Sequence, residues 1–435
     1  MARSSVGVAL ALLFLAATTV ASEPYSYEVD PSTLDKKIMF GYQGWFACEG
    51  DGSDYGWNHW FRNKRNTASD LRVEMWPDLT EYSMDFLYDT RINMPNGEPA
   101  KLYSPYNQET VDLHFKWMQD YELDGVFLQR FISNILKGGT RRSFRNEVTK
   151  NVMKSAETYG RTWAMMYDIS GVSPNDDLVM GIKRDWKFLV DEIKITQSPN
   201  YLHHDGKPVM AIWGLGVHNR PGTAEQAMEL IHYFKGGGEE KYQVTLIGGV
   251  PARWRSLGRD SKQEEAWREV YVSFDVVLPW IIGRYRSASD HDAWMDNYTN
   301  PDLELLKEHG VEYLPVNYPG FSRSNMHSDE KPTDVFNSIP RNGGKFFWRQ
   351  VYNNINAGIN MLYIAMFDEV DEATAMYKLV AKQEDLPEGV KLLALDEDGY
   401  DLPNDWYLRL SREAGRMLRG EIPLDSTIPI TPDKT

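Results

Sequence analysis

The sequence predicts an α/β fold, a (β/α)8 or TIM barrel, with a long excursion between the first strand and the first helix and a closing helix at the C-terminal end. Eight short runs of apolar, β-branched or aromatic residues alternate with segments of helical periodicity. These runs are apolar almost throughout rather than at alternate positions, which is typical of parallel strands covered on both faces.

The predicted strands extend from residue 37 to residue 370. In chain order they are 37–46, 124–131, 161–169, 207–216, 244–250, 274–283, 312–321 and 360–370. In a parallel barrel the carboxyl ends of all these strands meet at one face, where active sites are built. Polar and aromatic residues at those ends are therefore the candidates for function.

The predicted helices have apolar stripes at helical spacing. One helix occupies 109–121, with Val111, Phe115 and Met118 on one face; a second carries Val148, Val152, Ala156 and Tyr159 and ends at Gly160. The last stripe, which we interpret as the closing helix, consists of Trp406, Leu410, Ala414 and Met417, with Gly420 beyond it.

Residues 47–108 form an excursion that is much longer than a connection to one helix requires. It contains the aromatic sequences GWNHWF (56–61), MWPDL (75–79) and LYSPYN (102–107). Long insertions after a barrel strand lie on the face that carries the active site. We therefore expect the excursion to form part of the wall of that site.

The first residues predict export. Arg3 precedes twelve apolar or small residues, Val6 to Ala17, and small residues follow around Ala21. This pattern is typical of a secretory signal peptide, and the apolar part is too short to span a bilayer. We predict a signal peptide at 1–22, a single domain at 23–435, and a secreted protein that is extracellular or periplasmic.

The net charge restricts the possible binding partners, and the cysteine count restricts the possible disulfides. The formal net charge is −16, and no block of lysine or arginine offers a face for phosphate groups, so we expect no nucleic-acid partner and no membrane partner. The single cysteine, Cys48, excludes an internal disulfide. We expect a monomer without cofactor or metal.

Four carboxylates occur at the end of the last predicted strand and just beyond it, in the sequence FDEVDEATA: Asp368, Glu369, Asp371 and Glu372. Glu369 and Glu372 are three residues apart, which brings both side chains to one side if the chain turns helically. Paired carboxylates in a cleft shift each other's pKa, so that one donates and the other accepts a proton, as glycoside hydrolysis requires. A solvated acidic turn and a calcium-binding loop are the alternatives.

Several segments resemble glycoside hydrolase family 99, the endo-α-mannosidases, which is related to the family 71 α-1,3-glucanases. NMLYIAMFDEVDEATA, preceded by IPRNGGKFFWRQVYNNINAGI, resembles the end of the family 99 barrel; MFGYQGWF with WNHWF, and PVNYPGF, are similar to its first strand and its seventh-strand turn. Glu369 and Glu372 match the two family glutamates, and Thr374 matches the family threonine. Asp368, Val370 and Ala373 replace the family's asparagine, tryptophan and glycine.

The resemblance implies a secreted glycoside hydrolase that cleaves α-linked polysaccharide internally, with α-mannan favoured as substrate. Glu372 would be the general acid/base, and Glu369 would deprotonate the 2-hydroxyl of the sugar, which then attacks the anomeric carbon. The departures leave two alternatives open. These are an inverting hydrolase like the α-1,3-glucanases, and a carbohydrate-binding barrel without catalysis.

Polar and aromatic residues near the other strand ends are predicted to bind the polysaccharide or oligosaccharide substrate. They are Tyr42, Gln43, Trp45, Trp57, His59, Trp60, Arg130, Asp168, Trp213, Trp254, Trp280 and Tyr318, together with Asp368 and Asp371. Three alternatives concern structure instead: His59 satisfied by local hydrogen bonds, Trp57 and Trp60 as a core staple, and a buried Arg130–Asp168 pair bracing the barrel.

Overall fold

The computed structural model describes residues 27–326 and 336–433. Its strands are β1 (Ile38–Tyr42), β2 (Leu87–Asn93), β3 (Pro99–Tyr103), β4 (Gly125–Phe131), β5 (Thr162–Asp168), β6 (His203–His204), β7 (Lys207–Trp213), β8 (Thr245–Pro251), β9 (Val276–Trp280), β10 (Glu312–Tyr313), β11 (Val316–Asn317) and β12 (Leu362–Ile364). The signal peptide predicted at 1–22 lies outside the described residues.

Nine of the strands form one curled, parallel sheet with helices on its outer side, so the fold is α/β. The strand order is β10-β9-β8-β7-β5-β4-β1-β12-β11, with β6 paired antiparallel to β7. The two ends of this order are close in the chain, since only Leu314 and Pro315 separate β10 from β11. Leu314 N donates to Val277 O (2.9 Å) and Tyr363 N donates to Pro315 O (3.0 Å), which carries the hydrogen bonding across the interruption.

The helices are α1 (Gln108–Asp120), α2 (Ile132–Lys137), α3 (Gly139–Tyr159), α4 (Leu178–Phe188), α5 (Ala224–His232), α6 (Ala266–Tyr271), α7 (Ala288–Trp294), α8 (Asn300–His309), α9 (Lys345–Asn356) and α10 (Trp406–Arg419). None of these described helices combines the length and the apolar character needed to cross a bilayer.

The three helices predicted from apolar stripes are present as α1, α3 and α10. Gly160 and Gly420 end α3 and α10 at φ of 61° and 75°, a left-handed conformation that glycine adopts without a steric penalty. Trp406 at the start of α10 donates its indole N–H to Gly343 O (3.0 Å), just before α9. That α10 closes the barrel stays a prediction.

Several strands are shorter than their apolar runs predict. Residues 43–46, 281–283, 318–321 and 365–370 were predicted to be strand, but they form loops beyond the ends of β1, β9, β11 and β12. Apolar residues continue there because the loops are themselves packed; Phe46 and Phe367, for example, are fully buried. Because these loops are buried, the apolar runs in the sequence continue beyond the ends of the strands.

The excursion folds back onto the segment that follows β12. Its strands β2 and β3 form an antiparallel hairpin. Glu74 N and Met75 N both donate to Val370 O, at 2.9 and 3.3 Å. The excursion therefore fixes the backbone between Glu369 and Glu372.

Candidate active site

A cavity of about 640 Å³ opens at the carboxyl ends of the parallel strands. Asp168, Trp213 and Trp280, the last residues of β5, β7 and β9, line it. Of the residues predicted from the sequence, the cavity brings together Gln43, Trp45, His59, Asp168, Trp213, Trp280, Glu369 and Glu372. Both glutamates of the pair therefore face the same space.

Residues 366–376, which we call the acidic turn, place the two glutamates. The backbone turns at residues 370–373, and Thr374 N donates to Glu369 O (3.1 Å). Ser322 N, from the segment after β11, donates to Glu372 O (3.1 Å). These bonds set the direction in which each glutamate leaves the backbone.

Two buried charged side chains hold the acidic turn. Asp368 accepts hydrogen bonds from Gln43 N (2.7 Å) and Gly44 N (2.9 Å), which ties the turn to the loop after β1. Arg341 donates to Ala373 O (2.9 Å) and Ala375 O (2.7 Å). Sequence reasoning missed Arg341, whose only signal is its position in the IPRNGG sequence before α9.

The electrostatics of the acidic turn favour a retained proton. Burial, followed by the neighbouring carboxylates Glu372 and Asp371, raises the pKa of Glu369 well above its usual range, although a hydrogen bond with Gln43 opposes the shift. Thr374 Oγ1 also donates to Glu369 Oε2 (3.3 Å). Two neighbouring carboxyl groups of this kind can share one proton, so that one is protonated while the other is ionised, as acid/base chemistry requires.

Asp371 orients the histidine of the excursion. Its Oδ2 atom accepts from His59 Nδ1 (3.2 Å) and from Arg72 Nε (3.1 Å). The His59 ring stacks on Trp45, with ring centroids 3.7 Å apart. Burial lowers the pKa of His59 to about 4, so above that pH the ring is neutral. Its one proton is on Nδ1, which donates a hydrogen bond to Asp371. His59 Nε2 is then an acceptor, and His59 would accept from a sugar hydroxyl rather than donate to it.

Five of the predicted aromatic residues do not line the cavity. Tyr42 bonds to His114 Nδ1 (2.8 Å), Trp60 to Tyr103 O (3.0 Å), Trp254 to Asp302 Oδ2 (3.0 Å) and Tyr318 to Tyr285 O (2.8 Å), while Trp57 packs edge-on against Phe61. All five are buried. Nearness to a strand end was misleading for two reasons. Tyr42 points to the face of β1 that α1 covers, because successive side chains of a strand point to opposite faces. The other four residues lie outside the strands, in loops whose packing buries them.

The structure also corrects the roles predicted for three charged residues. Asp368 and Asp371 hold backbone and side-chain donors and are fully buried away from the cavity wall. Arg130 forms a two-pronged ion pair with Asp185 of α4 (2.6 and 2.7 Å), so its buried partner is not Asp168. Asp168 instead lines the cavity, where burial raises its pKa to about 6.

The cavity also contains arginines that the sequence did not single out. They are Arg72, Arg220, Arg284, Arg286 and Arg323. All of them lie outside the strands and helices, where no periodic pattern shows which way a side chain points.

In the part of the chain that the structure describes, one group of residues has the spacing of a metal site, namely His204, Asp205 and Glu312. His204 Nδ1 accepts a hydrogen bond from Leu34 N (3.1 Å), so the ring proton is on Nε2, which donates a hydrogen bond to Glu312 Oε2 (2.6 Å). A metal would have to displace that proton while Nδ1 stayed an acceptor. The donor set therefore fits a hydrogen-bonded pair better than a metal site.

Comparison with solved structures places the fold among glycoside hydrolases. The GH99 endo-alpha-mannosidase from Bacteroides thetaiotaomicron superposes with a TM-score of 0.63, at 16% identity, over 89% of this chain and 99% of that one. A structure described as a glycoside hydrolase-like protein gives 0.51, at 13% identity, over 81% and 99%. The chain therefore has a glycoside hydrolase-like fold. The similarity to family 99 suspected from the sequence is confirmed at the level of the fold.

Comparison with curated sequences is weaker. No family model matches the chain. A ferrochelatase from Serratia proteamaculans is 26% identical over 137 residues, 30% of this chain, and the match spans less than half (42%) of that protein. A ferrochelatase from Hamiltonella defensa is 22% identical over 324 residues, 69% of this chain and 88% of that protein.

Proposed function

We propose that this protein is a secreted glycoside hydrolase that cleaves α-linked polysaccharide of the α-mannan type at internal bonds, with Glu369 and Glu372 as its catalytic residues. One observation carries the proposal. The two glutamates line one cavity at the carboxyl edge of a glycoside hydrolase-like fold, and burial with mutual repulsion raises the pKa of Glu369. A protein that only binds carbohydrate has no need for such a pair.

The proposed reaction begins with Glu369 ionised, at a pH above its raised pKa, and with Glu372 protonated. Glu369 takes the proton of the sugar's 2-hydroxyl while Glu372 protonates the leaving oxygen. The 2-oxygen forms a bond to the anomeric carbon as the glycosidic bond breaks, which gives an anhydro-sugar. Glu372, now ionised, then takes a proton from water; the water opens the anhydro-sugar, and the 2-oxygen recovers its proton from Glu369. Both glutamates end in their starting states, as catalysis requires.

The same proposal includes a barrel of eight strands, a closing role for α10 and export of the protein. We count residues 312–317 as one strand interrupted at Leu314 and Pro315, so that the barrel has eight strands and closes between β9 and β12. We assign α10 the role of closing helix because Trp406 bonds to Gly343 O beside α9. Export rests on the sequence pattern of residues 1–22.

The stereochemistry of cleavage tests the proposal. In an α-mannoside the 2-hydroxyl lies trans to the leaving oxygen, so attack from the opposite face is open and retention follows. In an α-glucoside it lies cis, and a carboxylate must activate water instead, with inversion. We expect proton NMR of the first product from an α-mannan to show the α anomer. Inversion on that substrate, or cleavage of α-1,3-glucan alone, would favour the glucanase-like alternative.

The pH dependence of turnover provides a second prediction. Glu369 must be ionised to act as a base, so kcat/KM should rise with pH through its raised pKa. We expect the acidic limb to lie well above pH 4.5, the ordinary value for a glutamate. Asp371→Asn removes a neighbouring negative charge, so it should move the limb to lower pH. A limb at or below pH 4.5 in the unmodified protein would contradict the role of Glu369.

A further inference from the structure

One side of the cavity is rich in hydrogen-bond donors that carry positive charge. Arg220 lies after β7, and Arg284 and Arg286 lie after β9. This concentration of arginine occurs in a protein whose formal net charge is −16. We call these three residues the arginine side of the cavity.

Nearby carboxylates neutralise only part of this charge. Arg284 forms an ion pair with Asp260 Oδ2 (2.8 Å), an atom that also accepts from Ala252 N. Asp168 accepts from Ser170 N (2.6 Å). The charge of Arg220 favours the ionised form of Asp168, and its Nη1 atom donates to Asn219 Oδ1 (3.1 Å), but within residues 27–326 and 336–433 neither Arg220 nor Arg286 forms a direct ion pair with a carboxylate.

Arg220 and the neighbouring Trp213 each have a donor whose hydrogen-bonding capacity is unused. Arg220 Nε and Trp213 Nε1 are buried atoms without a hydrogen-bond partner among the described residues. The Arg220 guanidinium lies over the Trp213 ring, 5.4 Å from its centroid, so the two donors belong to one cluster. Both groups can only donate, and they therefore suit a ligand with several acceptor oxygens.

Arg220 lies across the cavity from the glutamates. Along the sheet, β5, β4 and β1 separate β7 from β12, which precedes the acidic turn. Trp213, beside Arg220, packs against Trp280, with ring centroids 5.4 Å apart. A group bound by Arg220 would therefore sit on a sugar next to the cleaved bond rather than at the reacting carbon.

We propose that the arginine side binds an anionic group, a carboxylate or a sulfate ester, on the polysaccharide, so that the protein prefers an acidic glycan to its neutral counterpart. This inference rests on the proposed function, because it takes the cavity to be a glycan site. A planar guanidinium matches the paired oxygens of either anion, and the partly water-excluded cavity strengthens the attraction.

Binding to matched glycans tests the inference. One α-mannan oligosaccharide is used in three forms: unmodified, oxidised to a carboxylate at C6, and sulfated at C6. The C6 position leaves the 2-hydroxyl free. Titration calorimetry on Glu372→Gln, which should bind without cleaving, gives the affinity for each form. We expect at least one anionic form to bind about tenfold more tightly than the neutral form, and the preference to shrink as salt is added.

Arginine variants in the same background locate the effect. Arg220→Gln and Arg286→Gln should each reduce the ratio of anionic to neutral affinity, and together they should abolish it. Arg184→Gln is the matched control, since it removes the same charge from an exposed position on α4. Arg286 is itself exposed, so its variant should fold even if Arg220→Gln disturbs Trp213.

Each outcome is decisive. Comparison of the carboxylated and sulfated forms identifies which anion is preferred. Equal affinity for all three forms would overturn the inference while leaving the proposed glycan site intact. A preference that survives both arginine substitutions would also overturn it. If no form binds, the proposed function fails along with the inference.

Discussion

Glu369→Gln and Glu372→Gln should each lower kcat on an α-mannan by roughly 10²–10⁴-fold, because each removes a proton acceptor or donor that the proposed reaction uses. The amide retains the size of the side chain and its ability to accept a hydrogen bond, so substrate binding should change much less than turnover. Initial rates and calorimetric titration on the same preparations separate the two effects.

The same variants should fold at least as stably as the unmodified protein. The pKa of Glu369 in the folded state lies above its value in the unfolded chain. The folded state therefore loses stability as the pH rises from 4.5, the ordinary value that the unfolded chain has, through the folded pKa. Glu369→Gln removes that loss, so the Tm difference in its favour should grow with pH over this interval.

Glu157→Gln, which removes an exposed carboxylate from α3, is the control for the loss of one negative charge. It should change neither turnover nor Tm. Near-normal turnover of both Glu369→Gln and Glu372→Gln on a substrate that the unmodified protein cleaves would refute the assignment of the pair.

Trp60→Ala should destabilise the fold by about 3–5 kcal/mol without changing substrate affinity per folded molecule. Trp60 is fully buried, its ring lies 4.1 Å from that of Phe46, and its indole N–H bonds to Tyr103 O. Truncation therefore leaves a cavity in the excursion and removes one of the two side-chain hydrogen bonds that Tyr103 O accepts. Denaturant unfolding should report the loss as a lower midpoint at an unchanged slope.

Trp280→Ala is the matched comparison, since it removes the same side chain from the wall of the cavity. Trp280 is half-buried at the end of β9, where its ring is available to stack on a sugar. We expect affinity to fall by about 0.5–1.5 kcal/mol beyond the loss of buried area, with a smaller effect on stability than that of Trp60→Ala. The opposite pattern, lost affinity in Trp60→Ala and lost stability in Trp280→Ala, would exchange the roles given to the two residues.

The sequence by itself determined the features that depend on neighbours along the chain. Apolar runs located all the parallel strands, and apolar stripes located α1, α3 and α10, because burial of one face imposes a period on nearby residues. The spacing of Glu369 and Glu372 after β12 predicted their common orientation, and both line the cavity. These features follow from local geometry.

The tertiary structure alone decided which side chains near the strand ends reach the cavity. Tyr42 and Gln43 are adjacent in the chain, yet Tyr42 bonds to His114 of α1 while Gln43 lines the cavity. Arg130 pairs with Asp185 on a helix rather than with Asp168 on the neighbouring strand. Other contacts of the site also join residues that are far apart in the chain. Examples are the three residues of the arginine side, the hydrogen bond from Arg341 to Ala373 O and the hydrogen bond from His59 to Asp371. Partners of this kind are set by the packing of loops against one another, and no period in the sequence records that packing.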